Sequence, residues 1–497
     1  FHPSQRALKD SALGHPRHRQ SGGVFRVRFS AAMVAEHLLP ERLAARARPW
    51  ATRLDVLIAA TDARSEAGRM SLIAFASRIV NAAIAFLSQV LLARYMGGFE
   101  YGIFVLVWVT MIILGNISCL GFHTSVIRFI PEYRTQQRFA ELRGILLASR
   151  LFVLVFSTAV TLTGALGIWL FEPFIESYYV VPFYLGLVCL PMIALGDQLQ
   201  GIARANALAW WAMAPTYLFR PLLILFFLWT LHMAGYAPDA KGAVIAAILA
   251  TYLTTIIQFT AVSARAVARV PSTRPRFLTR TWIAVSLPIF LVESFFFLLT
   301  NADVLMIGLF MQPTHVAVYF ATVKTLALVH FVYFAVKAGV AQRYAALIHG
   351  GERSALTRFA RETVSWTFWP SLAMGVMVLV LGKPILMLFG PGFDSGYPLL
   401  FLLVAAVVAR SAVGPAESML TMSGHQNACA AVYAVTLAIN VALNVMLIPL
   451  LGLWGAAIAT AIAMIFEATA LSLTVRRKLG ITMAVALPAP WKDKEAM

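Results

Sequence analysis

From Met70 onward the chain alternates between long apolar runs and short polar interruptions. The runs are about 20 residues or longer, the length a helix needs to cross the hydrocarbon core of a bilayer. This pattern predicts twelve spans. Six lie near residues 70–95, 102–124, 144–170, 182–204, 212–233 and 243–264; six more lie near 282–309, 316–339, 360–382, 397–422, 428–449 and 452–475. A basic linker from Arg265 to Arg280, with Pro271 and Pro275, separates the two sets. The expected organisation is a basic tail (1–69), a six-helix lobe (70–264), the linker (265–281), a second six-helix lobe (282–478) and a C-terminal tail (479–497). The fold class is an all-α polytopic membrane protein with about 12 transmembrane helices.

Composition supports that class. Of the 497 residues, 60% are hydrophobic and 12% charged, about half the charged share that a soluble domain uses to cover its surface. A net charge of +18 would suggest nucleic acid in a soluble protein. Here the basic residues gather in alternate loops. The even-numbered loops hold fourteen arginines, among them Arg128, Arg143, Arg204, Arg265, Arg343 and Arg358, whereas the odd-numbered loops hold only Arg94, Lys241 and Lys383. The positive-inside rule then places the even loops and both termini in the cytoplasm. Cys119, Cys189 and Cys429 fall inside apolar runs without metal-ligand or redox spacing, and read as small core or lipid-facing residues. No zinc, P-loop or dinucleotide motif stands in a fitting context. Residues 1–69, rich in Arg, Ala, Ser and Pro, read as a disordered or interfacial cytoplasmic tail. The chain begins at Phe1, and Met33 or Met70 would be reasonable starts.

The halves repeat at an offset of 215. Tyr101-Gly102-Ile103-Phe104 falls on Val316-Ala317-Val318-Tyr319, Arg128-Phe129 on Arg343-Tyr344, and Arg143 on Arg358. Six spans per half give both halves the same orientation, the parallel arrangement that encloses a cleft in transporters.

An ionisable side chain at mid-membrane costs at least a few kcal/mol unless it meets a partner or a wet cavity. Such side chains are therefore the candidates for function. Arg78, Asn81, Ala85, Ser88 and Gln89 recur along one face of the first span. Glu293, Thr300 and Asn301, with Asp303 beside them, form a similar stripe on the seventh. Arg78 and Glu293 stand 215 apart, so the repeat puts them at equivalent places, where they would form either a gating pair or a permanent structural one. Arg220, Lys324, Lys337, Arg410, Glu417 and Glu467 are the other charges read inside spans. Arg410 and Glu417 flank Gly414-Pro415, which predicts a bent helix. Lys337 stands near a helix end, where its stem can snorkel. Arg78, Asn81, Gln89, Arg220, Lys324 and Arg410 together would line a cationic cavity, which calls for an anionic substrate such as a phosphate or pyrophosphate. Glu293, Asp303 and Glu417 are the candidates for gating or for coupling to a proton or sodium ion. No arrangement suits covalent catalysis, and the outer loops are short; the chain is expected to be no enzyme and to hold no resident cofactor or metal.

The stretch Leu91-Leu92-Ala93-Arg94-Tyr95-Met96-Gly97-Gly98-Phe99-Glu100-Tyr101-Gly102 resembles the signature of Wzx-type polysaccharide flippases. These are members of the multidrug/oligosaccharidyl-lipid/polysaccharide (MOP) exporter superfamily. Gly121 through Arg128 to Glu132-Tyr133 is similar to the family's next block. Asp303-Val304-Leu305-Met306-Ile307-Gly308 and Val318-Tyr319-Phe320-Ala321 resemble its central block, and Ser423-Gly424, Asn440, Asn444, Ile448-Pro449 and Leu450 to Ala459, with Gly452, Gly455, Ala456 and Ala457, its C-terminal block. The resemblance covers 70–480. It implies a MATE-like fold of two lobes around a central cavity. It also implies movement of a polyprenyl-pyrophosphate-linked oligosaccharide from the cytoplasmic to the periplasmic leaflet of a bacterial inner membrane, by alternating access, for surface polysaccharide synthesis. The implied partners are that glycan lipid, membrane lipid and other polysaccharide assembly proteins, with no nucleic acid. The competing readings are a cation-coupled multidrug exporter of the same superfamily and, from another class, a membrane glycosyl polymerase or an assembly scaffold.

Overall fold

The computed structural model describes residues 63–268 and 270–485, with side chains from Val80 onward except those of Val267, Ala338 and His349. The expectations placed on residues 1–62, on 486–497 and on the Arg78 side chain fall outside this set. Residues up to Ile79 and those from Val80 onward form separate compact units; the packing below is that of the second.

Every regular element among the described residues is helical. In chain order these are α1 (Ala63–Ser118), α2 (Phe122–Thr135), α3 (Phe139–Phe171), α4 (Ser177–Ala205), α5 (Ala209–Ala214), α6 (Arg220–Met233), α7 (Ala240–Val267), α8 (Thr279–Phe310), α9 (Pro313–His349), α10 (Arg353–Met387), α11 (Tyr397–Ser411), α12 (Ala416–Met422), α13 (Gln426–Leu451) and α14 (Leu453–Leu479). Eleven helical stretches among the described residues are long and apolar enough to cross a membrane. The first of them is broken at Gly97, whose φ of 80° and ψ of 164° are not helical. Division there yields the twelve spans that the apolar pattern predicts.

Several boundaries differ from the pattern for local reasons. The second span ends at Ser118 rather than 124, because Leu120 (φ 47°) and Gly121 (φ 74°) turn the chain through the left-handed region. A new helix, α2, then carries Arg128, which the apolar pattern assigns to a loop. The fifth span passes from α5 to α6 through a π-helical turn at Pro215–Phe219, just before Arg220-Pro221. The tenth breaks between α11 and α12 at Gly414 (φ 60°) and Pro415, the predicted bend. The 215 offset is visible in these boundaries. It carries α3 onto α10, α7 onto α14, and the break at Gly97 onto the break before Pro313. It also exposes a difference, since the arm after Gly97 together with α2 corresponds to the single unbroken helix α9.

In the first half α4 is central and packs against α2, α3 and α7; in the second, α14 packs against α11 and α13, and α9 against α10 and α12. Helix α8 touches both groups, with contacts to α2 and to α13. The buried apolar core is continuous from α1 and α4 to α9, α10 and α11. All three cysteines are buried and free, which selects the core reading over the lipid-facing one.

Candidate functional site

The two halves meet differently at the two ends of α8 and α9. At the Gly97 end they are in close contact. A β-carbon on Gly102 would lie 1.8 Å from the Pro313 carbonyl oxygen, and one on Gly308 would lie 2.5 Å from Leu106. Tyr101 packs edge-on against Phe320, and Phe86 against Phe389. Arg94 donates from Nε to the Leu388 carbonyl at 2.6 Å and from Nη2 to that of Met387 at 3.4 Å. It thereby satisfies carbonyls at the C-terminal end of α10, where the helix dipole favours a cation. These partners lie 294 and 293 residues away along the chain, beyond the reach of any local pattern.

At the other end a cavity of about 430 Å³ opens between the halves. Arg128 of α2 faces it from the first half, Thr421, Gln426 and Asn427 from the second, and Val285, Pro288 and Glu293 from α8. Arg128, Thr421, Gln426 and Asn427 are exposed. Glu293 is tethered to α2: Thr124 Oγ1 donates to it at 2.8 Å, and His123 Nε2 lies 3.2 Å from its other oxygen. The expected pairing of Glu293 with Arg78 lies outside the described residues; among them its partners are Thr124 and His123.

The remaining predicted cations do not share one surface. Arg220 is 5% exposed, inside the first half, where its guanidinium lies against Gly196 of α4. Arg410 is buried in the second half, donates to Glu467 at 2.6 Å and lies over the Tyr333 ring. Arg220 and Arg410 are thus each packed inside their own half, and neither lines the cavity at the Arg128 end. Burial of a charge demands a partner, and Glu467, four turns along α14, supplies it for Arg410 in a way no local spacing could show. Lys324 is exposed, with its ammonium 4.7 Å from the Phe320 ring centre. Asn81 is half-buried, and Gln89 accepts a hydrogen bond from Tyr101 at 2.9 Å. Arg410 and Glu417 lie on separate pairs, since Glu417 is held by Lys337 and Tyr433. Lys337 therefore does more than snorkel.

Asp303 has the most hydrogen-bond partners of the predicted acids. Its Oδ1 accepts from Asn440 Nδ2 at 3.1 Å and Asn444 Nδ2 at 2.9 Å; its Oδ2 lies 3.2 Å from the Tyr319 hydroxyl and 2.5 Å from Thr460 Oγ1. Three helices, α9, α13 and α14, converge on one carboxylate of α8 that is 6% exposed. The side-chain amide oxygen of Asn444, Oδ1, is buried beside it and has no hydrogen-bond partner among the described residues. Asp197 and His123 were missed as intramembrane ionisable groups. The Gly-Asp-Gln sequence at 196–198, within the apolar run of α4, was the available signal.

Fold and charges together define a multi-pass helical membrane protein with polar groups at the interface between two packed halves. Residues 68–341, more than half of the chain, match the polysaccharide biosynthesis protein family, and the protein belongs to that family. No curated protein sequence matches the chain significantly. Among solved structures it is similar to an inward-facing multidrug resistance MATE family transporter of the MOP superfamily. That match has 16% identity and a TM-score of 0.64, and covers 80% of this chain and 94% of that one. It is also similar to the lipid II flippase MurJ in an inward closed conformation, at 15% identity and a TM-score of 0.64, covering 82% and 87%. A MOP superfamily transporter from Pyrococcus furiosus matches at 17% identity and a TM-score of 0.53, covering 81% and 94%. The fold is that of these neighbours, two transporters and a flippase.

Proposed function

We propose that the protein moves a polyprenyl-pyrophosphate-linked oligosaccharide from the cytoplasmic to the periplasmic leaflet of a bacterial inner membrane, for surface polysaccharide synthesis. The observation that carries this reading is the cavity between the halves at the Arg128 end, with the Gly97 end packed shut. The basic loops favour a cytoplasmic Arg128 end, so the closed end is periplasmic and the state is inward-open. Arg128 suits the pyrophosphate, because a guanidinium offers forked donors to phosphate oxygens. The exposed amides of Gln426 and Asn427, and the acceptor lone pairs of Thr421, whose hydroxyl donates to the Glu417 carbonyl, suit sugar hydroxyls. The lipid tail stays in the bilayer at the side of the cavity. Asp303 is the proposed cation-coupling group: rotation of either neighbouring amide turns an oxygen toward the carboxylate, and a sodium ion would take the place of the hydrogen-bonding donors.

Deletion of the gene tests direction and substrate together. The expected result is a lipid-linked oligosaccharide accumulating in the inner leaflet while surface polysaccharide is lost. Complementation with Arg128→Ala or the pair Gln426→Ala/Asn427→Ala should restore membrane insertion but less than about a tenth of the surface glycan, the loss of one good charged contact. Unchanged surface polysaccharide in the deletion strain overturns the reading.

A further inference from the structure

We infer that Asp197 is a proton-binding site within the first half, reached from the cavity through Glu293 and His123. The inference rests on transport for its purpose, but the site is read from side chains alone.

Asp197 lies on α4, and Gly201, one turn later on the same face, packs directly on the His123 backbone: a β-carbon there would be 2.0 Å from the His123 carbonyl oxygen. Ala194, on the other side of Asp197 along that face, accepts from Cys119 Sγ at 3.4 Å. The face that bears Asp197 is therefore seated against residues 119–123. His123 is 9% exposed. Its Nε2 reaches the cavity-lining Glu293, while its Nδ1 is buried and has no hydrogen-bond partner among the described residues. Three titratable side chains thus follow one another inward from the cavity, on α8, α2 and α4.

Asp197 itself receives no hydrogen bond and forms no ion pair at bonding distance among the described residues. Its electrostatic neighbours are Arg220 of α6, His123 of α2 and Arg204 of its own helix. Tyr217 on the π-helical turn and Cys119 ahead of α2 also feel its charge. From α7 it is Gln258 and Thr255, neither of them titratable, that approach Gly196 beside the Arg220 guanidinium. Arg220 keeps an unpartnered Nε, and Gln198 an amide with both atoms unpartnered and no exposure. Unsatisfied groups this deeply buried mark a place where water or an ion completes the bonding. A permanent structural ion pair would instead show the carboxylate and guanidinium in contact.

The transfer balances without a co-reactant. A proton carried on Glu293 forms a new N–H bond at His123 Nε2, the N–H bond at Nδ1 breaks, and that proton passes to a bridging water, which releases another to form the O–H bond on Asp197. The imidazole ends neutral in its other tautomer, and the negative charge has moved from Asp197 to Glu293. Imidazole is suited to this role because its two nitrogens exchange donor and acceptor roles. Neutralising Asp197 leaves Arg220 uncompensated, so proton occupancy would change the charge balance among α4, α6 and α7 and, through His123–Glu293, the hold of α2 on α8.

Infrared difference spectra of the purified protein in lipid, recorded after a pH jump without substrate, test the site. The expected result is a protonated-carboxyl band that disappears in Asp197→Asn and shifts in frequency in Asp197→Glu. In His123→Ala the band should persist but form about tenfold or more slowly. A band unchanged in both Asp197 variants overturns the inference, and so does a wild-type spectrum without a titrating carboxyl. If Asp197→Asn does not fold, the frequency shift in Asp197→Glu decides. Because no substrate is present, a negative gene-deletion result would leave this test intact, and a negative spectrum would leave the glycan reading intact.

Discussion

Asp303 and Arg410 show how a buried charge acquires meaning from residues far along the chain. Both stand out in the sequence because an ionisable group within an apolar run is costly. Their partners do not. Asn440, Asn444 and Thr460 reach Asp303 across about 140 to 160 residues, and Glu467 reaches Arg410 from α14. The two sites then diverge. Arg410 is paired with a carboxylate, whereas Asp303 meets only neutral hydrogen-bonding groups, which leaves a place for a further partner. If that is a cation, sodium should raise the melting temperature of the purified wild-type protein. Asp303→Asn, which preserves the shape but not the charge, should abolish the rise. Equal stabilisation by sodium and by choline at matched ionic strength would remove Asp303 from the coupling role.

At the level of elements, the glycines at 97, 102 and 121 decide how the first half is built. Gly97 allows the chain to leave one span and begin the next almost without a loop, and Gly121 ends that span early. Gly102 does something different, since it admits the Pro313 carbonyl where any side chain would collide. Gly102→Ala should therefore loosen the contact of α1 with α9 without unfolding either helix. The expected measurement is a several-fold faster reaction of a cysteine placed at Thr314 with a water-soluble maleimide, helicity being unchanged. No change in labelling rate would show that the backbones separate easily and that the contact is no seal. Helix α8 is the other element of consequence. Glu293 lies about 21 Å along it from Thr279, by the rise of a helix, and is fastened to the first half; Asp303, ten residues later, is fastened to the second.

For the whole molecule, alternating access requires the closed end to open while the other end closes. Gly98 lies next to Thr314, with a β-carbon on Gly98 only 3.5 Å from the Thr314 methyl group. Cysteines at both positions should form a disulfide under oxidising conditions and hold the Gly97 end shut. Surface polysaccharide should fall to the level of the deletion strain and return on reduction. Full activity with the cross-link formed would exclude opening at this end.

Apolar run length and loop charge were enough to reveal a membrane fold of twelve spans, because the cost of exposing backbone polar groups to lipid leaves little choice but helices. The family signature around Gly97 was equally legible, being local. Which charges share a surface was not legible. Arg220 and Arg410 looked alike along the chain, yet they lie in separate halves among different neighbours. Asp197 passed unnoticed, although its setting against His123 makes it a functional candidate. A helix face can be read from spacing along one segment; the occupant of the facing helix is fixed only when distant segments pack, and for an ion in a low-dielectric interior that occupant decides everything.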